Sequence, residues 1–238
     1  MTKIPNGVGE SAGDVRVGVA NGGLLRVAPL NAPDLSTRLD PTDWLSPQLV
    51  VEWSQLTHET RRAEWLATRR MMFLMLGELG LPPGPNDSGR LHLERSDAGK
   101  LSLPHAPEWG VSVSHCQGFA AVLLAPGRVG VDVERYRPQV HRIAPRYLSP
   151  PEMAVLGQHT AGLILGWAVK EAVYKWMGGG GISFREDIRI VAVAEKGIQV
   201  GVYAGGVGER RVPTLWVSFL DHPGLQRVCA WVAGDRGG

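Results

Sequence analysis

The chain has 238 residues, of which 44% are hydrophobic and 20% are charged, and its formal net charge is +2. This is the composition of a folded globular protein, and so small a charge argues against binding driven by the phosphate backbone of nucleic acids. The two cysteines are too few for a disulfide scaffold or a four-thiolate zinc site, and they fit a reducing cytosol. Neither a membrane-spanning apolar run nor a signal-peptide pattern occurs, so we expect a cytoplasmic protein without a membrane or nucleic-acid partner.

The first third of the chain predicts one strand followed by two helices. Residues 1–23 are rich in Gly, Ser and Asn, and we expect them to form a loose lead-in. A first strand is expected over 24–30. Apolar residues recur at helical spacings between 47 and 79, which predicts two helices, and the Gly- and Pro-rich run 80–85 ends them.

The remainder of the chain predicts mainly strands, with one further helix. Period-two alternation indicates strands over 111–114 and 120–124 around a Gln117-Gly118 turn, and a third strand over 129–134. Residues 163–177 form an amphipathic helical pattern that ends in four glycines. Later strands are expected at 188–193, 212–219 and 227–232. The sequence therefore predicts an α+β protein, in two lobes that meet near Arg128.

Two carboxylates stand out on the strand expected over 129–134. Asp132 and Glu134 are two residues apart, so they project from the same face of the strand. Two such charges repel each other unless a cation, a shared proton or solvent intervenes. Oxygen ligands of this kind suit Mg²⁺, although a solvated face of an edge strand would also explain the pair.

A second group of polar residues lies on the helix expected over 163–177. Trp167, Glu171 and Lys175 follow one another at intervals of four residues, so they share one helix face. Taken alone, Glu171 and Lys175 are an ordinary surface ion pair. Next to another element that handles anions, they would add a third carboxylate and a cation that can bind phosphate.

A third group lies upstream of the carboxylate strand. Ser114-His115-Cys116 ends a predicted strand just before the glycine turn. A histidine in this position can donate to a phosphate, and it can equally be an ordinary core or turn histidine. Gly99-Lys100 lies in a polar loop, where it offers a nucleotide a close backbone approach and a cation.

Together these elements resemble the 4′-phosphopantetheinyl transferases, in their longer, monomeric and pseudo-dimeric type. Gly-x-Asp-x-Glu at 130–134 and Trp-x-x-Lys-Glu-Ala-x-x-Lys at 167–175 are similar to the two signature motifs of that family. Gly99-Lys100 and the Ser-Val-Ser-His of 112–115 precede them in the expected order. The resemblance is firm over 99–182, and it is looser over 61–76, which resembles the arginine-bearing helix of the family.

The resemblance implies both a fold and a reaction. The fold would consist of two similar lobes, 1–126 and 127–238, each with a small antiparallel sheet packed on a long helix and related by a pseudo-twofold axis. The reaction would transfer 4′-phosphopantetheine from coenzyme A to a serine of an apo acyl or peptidyl carrier protein. Adenosine 3′,5′-bisphosphate would leave, and Mg²⁺ would be required, with Mn²⁺ as an alternative ion. No other partner is implied, and we expect a monomer.

The resemblance also implies roles for individual residues. Asp132, Glu134 and Glu171 would hold the metal. Lys175 and His115 would contact the coenzyme A phosphates, and Arg69 with Arg62 or Arg61 would meet the 3′-phosphate. Gly99, Lys100 and Ser114 would border the adenine. The catalytic group would consist of Glu171, Lys170 and Lys175. We expect Glu171 to remove the proton of the attacking serine, directly or through a metal-bound water. Lys170 is the second candidate for this base.

One departure from the family pattern affects the phosphate site. The family often carries a lysine within a Gly-Lys-Gly after the signature helix, and this chain has Gly178–Gly181 there. We expect either weaker contact with phosphate or carrier at this point, or compensation by a cation such as Arg185.

Three other functions are weighed against transfer. A catalytically silent module of the same fold would bind carrier proteins or coenzyme A, but it would tolerate loss of a metal carboxylate, and all three are present. An unrelated Mg²⁺-dependent phosphohydrolase could use Asp132 and Glu134. A hydrolase built on Ser114 and His115 is disfavoured, because adjacent residues on a strand point to opposite faces.

Overall fold

The protein, described as a computed structural model, is an α+β fold, as the sequence predicts. The structure describes residues 13–35, 40–97, 99–203 and 211–234. Within these it has two antiparallel sheets and six α-helices. The helices are α1 (Pro41–Trp44), α2 (Pro47–Ser54), α3 (Glu59–Glu78), α4 (Val140–Ile143), α5 (Pro150–Leu156) and α6 (Thr160–Met177). The strands are β1 (Val15–Val19), β2 (Gly23–Pro29), β3 (Glu94–Arg95), β4 (Leu101–Ser102), β5 (Trp109–Cys116), β6 (Phe119–Pro126), β7 (Val129–Arg135), β8 (Ile188–Ala194), β9 (Gly197–Tyr203), β10 (Arg211–His222) and β11 (Arg227–Ala233).

The N-terminal sheet has six strands in the order β1-β2-β6-β5-β4-β3, and α3 packs on it. Fully buried Met71, Met72 and Met75 of α3 join Val122 and Leu124 of β6 in one apolar cluster. This explains the methionines at helical spacing, since they form the buried face of α3.

The expected loose lead-in over 1–23 is partly wrong. Residues 15–19 form β1, which pairs antiparallel with β2, while residues 1–12 lie outside the described part of the chain. Val15, Val17 and Val19 alternate with small or charged residues, which is the period-two pattern of a strand. The abundance of glycine around this pattern obscured it.

The C-terminal sheet has five strands in the order β7-β11-β10-β9-β8 and packs on α6. The apolar face of α6 enters a cluster with residues of β8 to β11. The helix ends at Gly178, whose φ of 92° is left-handed, in agreement with the predicted stop at the glycine run. Strand β9 was not predicted from the sequence. Among the described residues, none of the helices has the length and apolar character needed to span a membrane.

Side chains join the two sheets along β5 and β7. Strand β7 lies at the edge of the C-terminal sheet. Its backbone N–H groups at Val131 and Val133 donate to the hydroxyls of Ser112 (3.0 Å) and Ser114 (3.3 Å) on β5. Behind these bonds, apolar residues from both sheets form one buried cluster. We call this contact between β5 and β7 the seam.

Candidate active site

The site is centred on the two carboxylates of β7. The side chain of Asp132 is buried, and its Oδ1 accepts hydrogen bonds from Lys175 Nζ and Ser114 Oγ, both at 2.8 Å. Its Oδ2 is buried and has no hydrogen-bond partner in the described part of the chain. Burial raises the pKa of Asp132, while Lys175 and Ser114 oppose that shift. Asp132 is therefore a buried acceptor with one oxygen left unsatisfied.

Glu134 and Glu171 complete the carboxylate group. Glu134 accepts the indole N–H of Trp167 at 3.1 Å and pairs with Arg137 through its other oxygen. Burial and the charge of Asp132 raise the pKa of Glu134. Burial, followed by the charges of Asp132 and Glu134, raises the pKa of Glu171 on α6. The three carboxylates thus lie within one another's electrostatic field.

A glycine allows α6 to approach β7 this closely. A Cβ built on Gly130 would lie 1.9 Å from the carbonyl oxygen of Ala172 and 2.7 Å from the backbone nitrogen of Trp176. Both contacts are with helix backbone, which cannot rotate away as a flexible side chain can. The glycine of the Gly-x-Asp-x-Glu motif therefore sets the distance between the strand carboxylates and the helix that carries Glu171.

The carboxylate group suits a divalent cation that is completed by other ligands. No group of three or more His, Cys, Asp or Glu side chains within the described ranges is arranged to hold a metal ion alone. Mg²⁺, however, is usually bound by one or two carboxylates together with waters and substrate phosphates. The orphaned Oδ2 of Asp132, with Glu134 and Glu171 nearby, meets that requirement. Lys175 and Arg137 neutralise part of the negative charge in this structure.

A cavity of about 550 Å³ lies beside the carboxylates. The residues that line it include several cations and, in the described part of the chain, no carboxylate. The cations are Arg61, Arg69, Arg95, Lys100 and Lys175, and His115 adds an imidazole. Glycines at 99 and 178–180 form part of the wall, so backbone is exposed to a bound group there. So strong an excess of positive charge indicates a ligand with several negative charges.

Arg69 is the most deeply buried of these cations. Its side chain is 5% exposed, its guanidinium lies 4.3 Å from the centroid of the Trp65 ring, and one nitrogen donates to Thr68 Oγ1 at 3.1 Å. The Nε atom is buried, and no described residue forms a hydrogen bond with it. Burial, with repulsion from Arg95, lowers the pKa of Arg69 to about 10, so the group stays charged at neutral pH. A buried cation with an unmet donor is suited to an anion.

His115 is held against a carboxylate of the N-terminal half. Its Nδ1 lies 3.5 Å from Oε2 of Glu64 on α3, and the imidazole is half exposed at the cavity. A carboxylate at Nδ1 fixes the orientation of the imidazole and keeps a proton on that nitrogen, so the other nitrogen donates only when the ring is protonated. His115 thus lines the cavity, and its contact with a phosphate stays a prediction.

Lys170 lies away from the site. It is completely buried, and its ammonium is 2.7 Å from Glu152 Oε1 and donates to the carbonyl of Phe184 at 2.6 Å. Although adjacent in sequence, Lys170 occupies the core face of α6 and Glu171 the face toward β7. The structure therefore places Lys170 in a structural ion pair and not in the catalytic group expected from the sequence.

Two other predicted contacts are also placed differently. Arg62 stacks on Trp53, 3.8 Å from the ring centroid, and does not line the cavity, whereas Arg61 does. Ser114 directs its hydroxyl to Asp132 and the seam, so it positions the carboxylate and does not border the cavity. Both differences follow from the face that each residue occupies, Arg62 on helix α3 and Ser114 on strand β5.

Arg95 is a cavity residue that the sequence did not reveal. It donates to the carbonyl of Gly99 at 3.1 Å and thereby closes the loop that carries Lys100. The only signal in the sequence is that Arg95 precedes this polar glycine loop. Arg185, expected to replace the missing lysine, donates instead to the carbonyl of Pro145 at 2.9 Å and does not line the cavity.

Comparison with known protein families agrees with this geometry. Residues 128–219 match the model of the 4′-phosphopantetheinyl transferase superfamily. The match covers the C-terminal part of the chain, which is similar to that superfamily. The matched segment contains the carboxylates of β7 together with Glu171 and Lys175 of α6, so both sequence motifs lie in the matched part. A comparison with curated proteins found no match.

Proposed function

We propose that this transferase moves 4′-phosphopantetheine from coenzyme A to a serine of an apo acyl or peptidyl carrier protein and releases adenosine 3′,5′-bisphosphate. One observation above all supports this proposal. A cavity lined by cations and without a described carboxylate adjoins a buried aspartate that has an unpartnered oxygen. Coenzyme A carries both a 3′-phosphate and a pyrophosphate, so it matches the charge of this cavity.

The cations fall into two groups that suit the two phosphate positions. Arg69 and Arg61 come from α3, and we assign them to the 3′-phosphate. Of the two arginines expected beside Arg69, Arg61 is kept because it lines the cavity and Arg62 does not. Lys175 and His115 lie on the carboxylate side and would meet the pyrophosphate. The loop at 99–100, closed by Arg95, would border the adenine.

Asp132, Glu134 and Glu171 are proposed to hold Mg²⁺, with Mn²⁺ as an alternative ion. When bound, the ion would neutralise the charge that develops on the departing adenosine 3′,5′-bisphosphate as the pyrophosphate bond breaks. Glu171 is the proposed base for the carrier serine, since burial and the neighbouring carboxylates raise its proton affinity above that of a free glutamate. Lys170 is not retained as a base, because its ammonium is buried against Glu152.

Three further expectations remain proposals. A boundary between lobes at 126/127 is supported by the end of β6 at Pro126 and the start of β7 at Val129. Membership of the longer, monomeric type is supported by site residues in both halves, such as Arg69 and Lys175. A cytoplasmic location rests on the composition alone.

The deciding experiment is the intact mass of several apo carrier proteins after incubation with the enzyme, coenzyme A and Mg²⁺. We expect a gain of one phosphopantetheine, which is lost on addition of EDTA and restored by excess Mg²⁺. Asp132→Asn should abolish the gain, and Glu186→Gln should not, because Glu186 is exposed and lies outside the cavity. Coenzyme A binding without transfer to any carrier would instead identify a silent binding module, and phosphate release from nucleotides without a carrier a phosphohydrolase.

A further inference from the structure

A second cavity lies behind the strand that carries the carboxylates. Side chains alternate along β7, so Val133 faces away from Asp132 and Glu134. It lines a cavity of about 330 Å³ at the hairpin between β10 and β11. This volume is at the lower end of the range of ~300–1,000 Å³ found for small-molecule sites.

The walls of this cavity are mainly apolar, and they come from both sheets. Their apolar members are Val15, Val27, Phe119, Val133, Leu220, Leu225, Val228 and Cys229. Of the polar residues, Asp221 is already bonded to the hydroxyl of Tyr136. A ligand in this space would therefore bury an apolar body and meet few polar groups.

Arg227 supplies a charged side chain in the lining that lacks a described ionic partner. Its Nε and Nη1 are buried and have no hydrogen-bond partner among the described residues, and its guanidinium lies 2.9 Å from the centroid of the Phe119 ring. Burial and the positive charge of Arg135 lower the pKa of Arg227, and Cys116 opposes that shift. Buried guanidinium donors without acceptors are unfavourable, so the site favours a carboxylate oxygen at this point.

We infer that this cavity binds a small amphipathic monoanion, with Arg227 at the carboxylate and the apolar walls around an aliphatic tail. A neutral alkyl chain would leave the donors of Arg227 unmet. A dianion would bring a second charge into apolar surroundings without a partner. The volume corresponds to roughly eleven waters at ~30 Å³ each, which suits a medium-chain fatty acid of about ten non-hydrogen atoms.

The inference does not depend on the proposed transfer reaction, because it concerns binding behind β7 and not chemistry at its carboxylates. Calorimetric titration of the whole protein with octanoate tests it directly. We expect saturable one-to-one binding. Arg227→Gln should weaken binding at least tenfold, because a charge-assisted hydrogen bond is lost. Arg135→Gln is the matched control, since Arg135 lies opposite Arg227 in the strand register but does not line the cavity.

Two further titrations keep the test decisive. Octanol should bind more weakly than octanoate and should respond little to Arg227→Gln. Leu225→Trp, which fills the cavity from the exposed hairpin side, should abolish binding of both. Absence of octanoate binding, or equal affinity in wild type and Arg227→Gln, would overturn the inference. If Arg227→Gln does not fold, equal binding of octanol and octanoate to the wild type would overturn it in the same way.

Discussion

Adjacent residues of α6 should behave in opposite ways when each loses its charge. Lys170→Met removes an ammonium from a site with no solvent access, where it bonds Glu152 and the carbonyl of Phe184. Removing one partner of a buried ion pair costs about 3–5 kcal/mol. We expect a cost at the lower end of this range. Glu152 still accepts hydrogen bonds from the backbone and hydroxyl of Ser149 and from the backbone of Ile190.

A loss of about 3 kcal/mol should lower the melting temperature by roughly 6–12 °C in a protein of this size. Glu171→Gln is the matched comparison. It removes a charge that Asp132 and Glu134 repel, so the melting temperature at neutral pH should be unchanged or higher. Transfer should be abolished by Glu171→Gln and retained, per folded molecule, by Lys170→Met.

Urea denaturation gives the free energy of unfolding of each variant, and intact mass gives the extent of carrier modification. Both are measured well below the melting temperature of the less stable variant. Reporting turnover per folded molecule separates lost stability from lost chemistry. If Lys170→Met keeps its full free energy of unfolding but loses turnover, the structural role of Lys170 is refuted. Its role as the base would then be reinstated.

Three further substitutions test the cavity and the packing of the site. Arg69→Met should raise the KM for coenzyme A roughly ten- to hundredfold through loss of a charged contact, and should change the KM for dephospho-coenzyme A little; equal losses would remove Arg69 from the 3′-phosphate. Glu64→Gln should also raise the KM for coenzyme A, because Glu64 orients His115. In a protein that already carries His115→Asn, Glu64→Gln should have no further effect on this KM, and additive effects would refute the coupling of the two residues. Gly130→Ala should destabilise the fold by about 1–3 kcal/mol or more in urea, and an unchanged midpoint would show that α6 can move away from β7.

Short-range periodicity was sufficient for much of the fold and part of the site. The alternation over 111–114, 120–124 and 129–134 predicted β5, β6 and β7, although both faces of β6 and of most of β7 are buried. The spacing of four residues placed Glu171 and Lys175 on one face of α6, and both lie near Asp132. Local geometry fixes such relations before any tertiary contact forms.

The remaining features depend on contacts between distant parts of the chain. Periodicity separates the faces of Lys170 and Glu171, but only the position of Glu152 on α5 shows which face is buried. Arg61 and Arg62 likewise look equivalent in the sequence, and only the stacking of Arg62 on Trp53 in the structure distinguishes them. Arg227 has no motif at all, since its cavity is assembled from both sheets.

The seam between β5 and β7 has a consequence for ligand-linked stability. The hydroxyls of Ser112 and Ser114 hold the edge of β7 with two hydrogen bonds, where a continuous sheet would use a ladder along the whole strand. Arg69 lies on one side of this junction and Lys175 on the other, so an anion that contacts both acts as a reversible crosslink. Each tenfold rise of its concentration above Kd adds about 1.4 kcal/mol against separation. Deuterium uptake at the amides of Val131 and Val133 should therefore slow as the cavity fills.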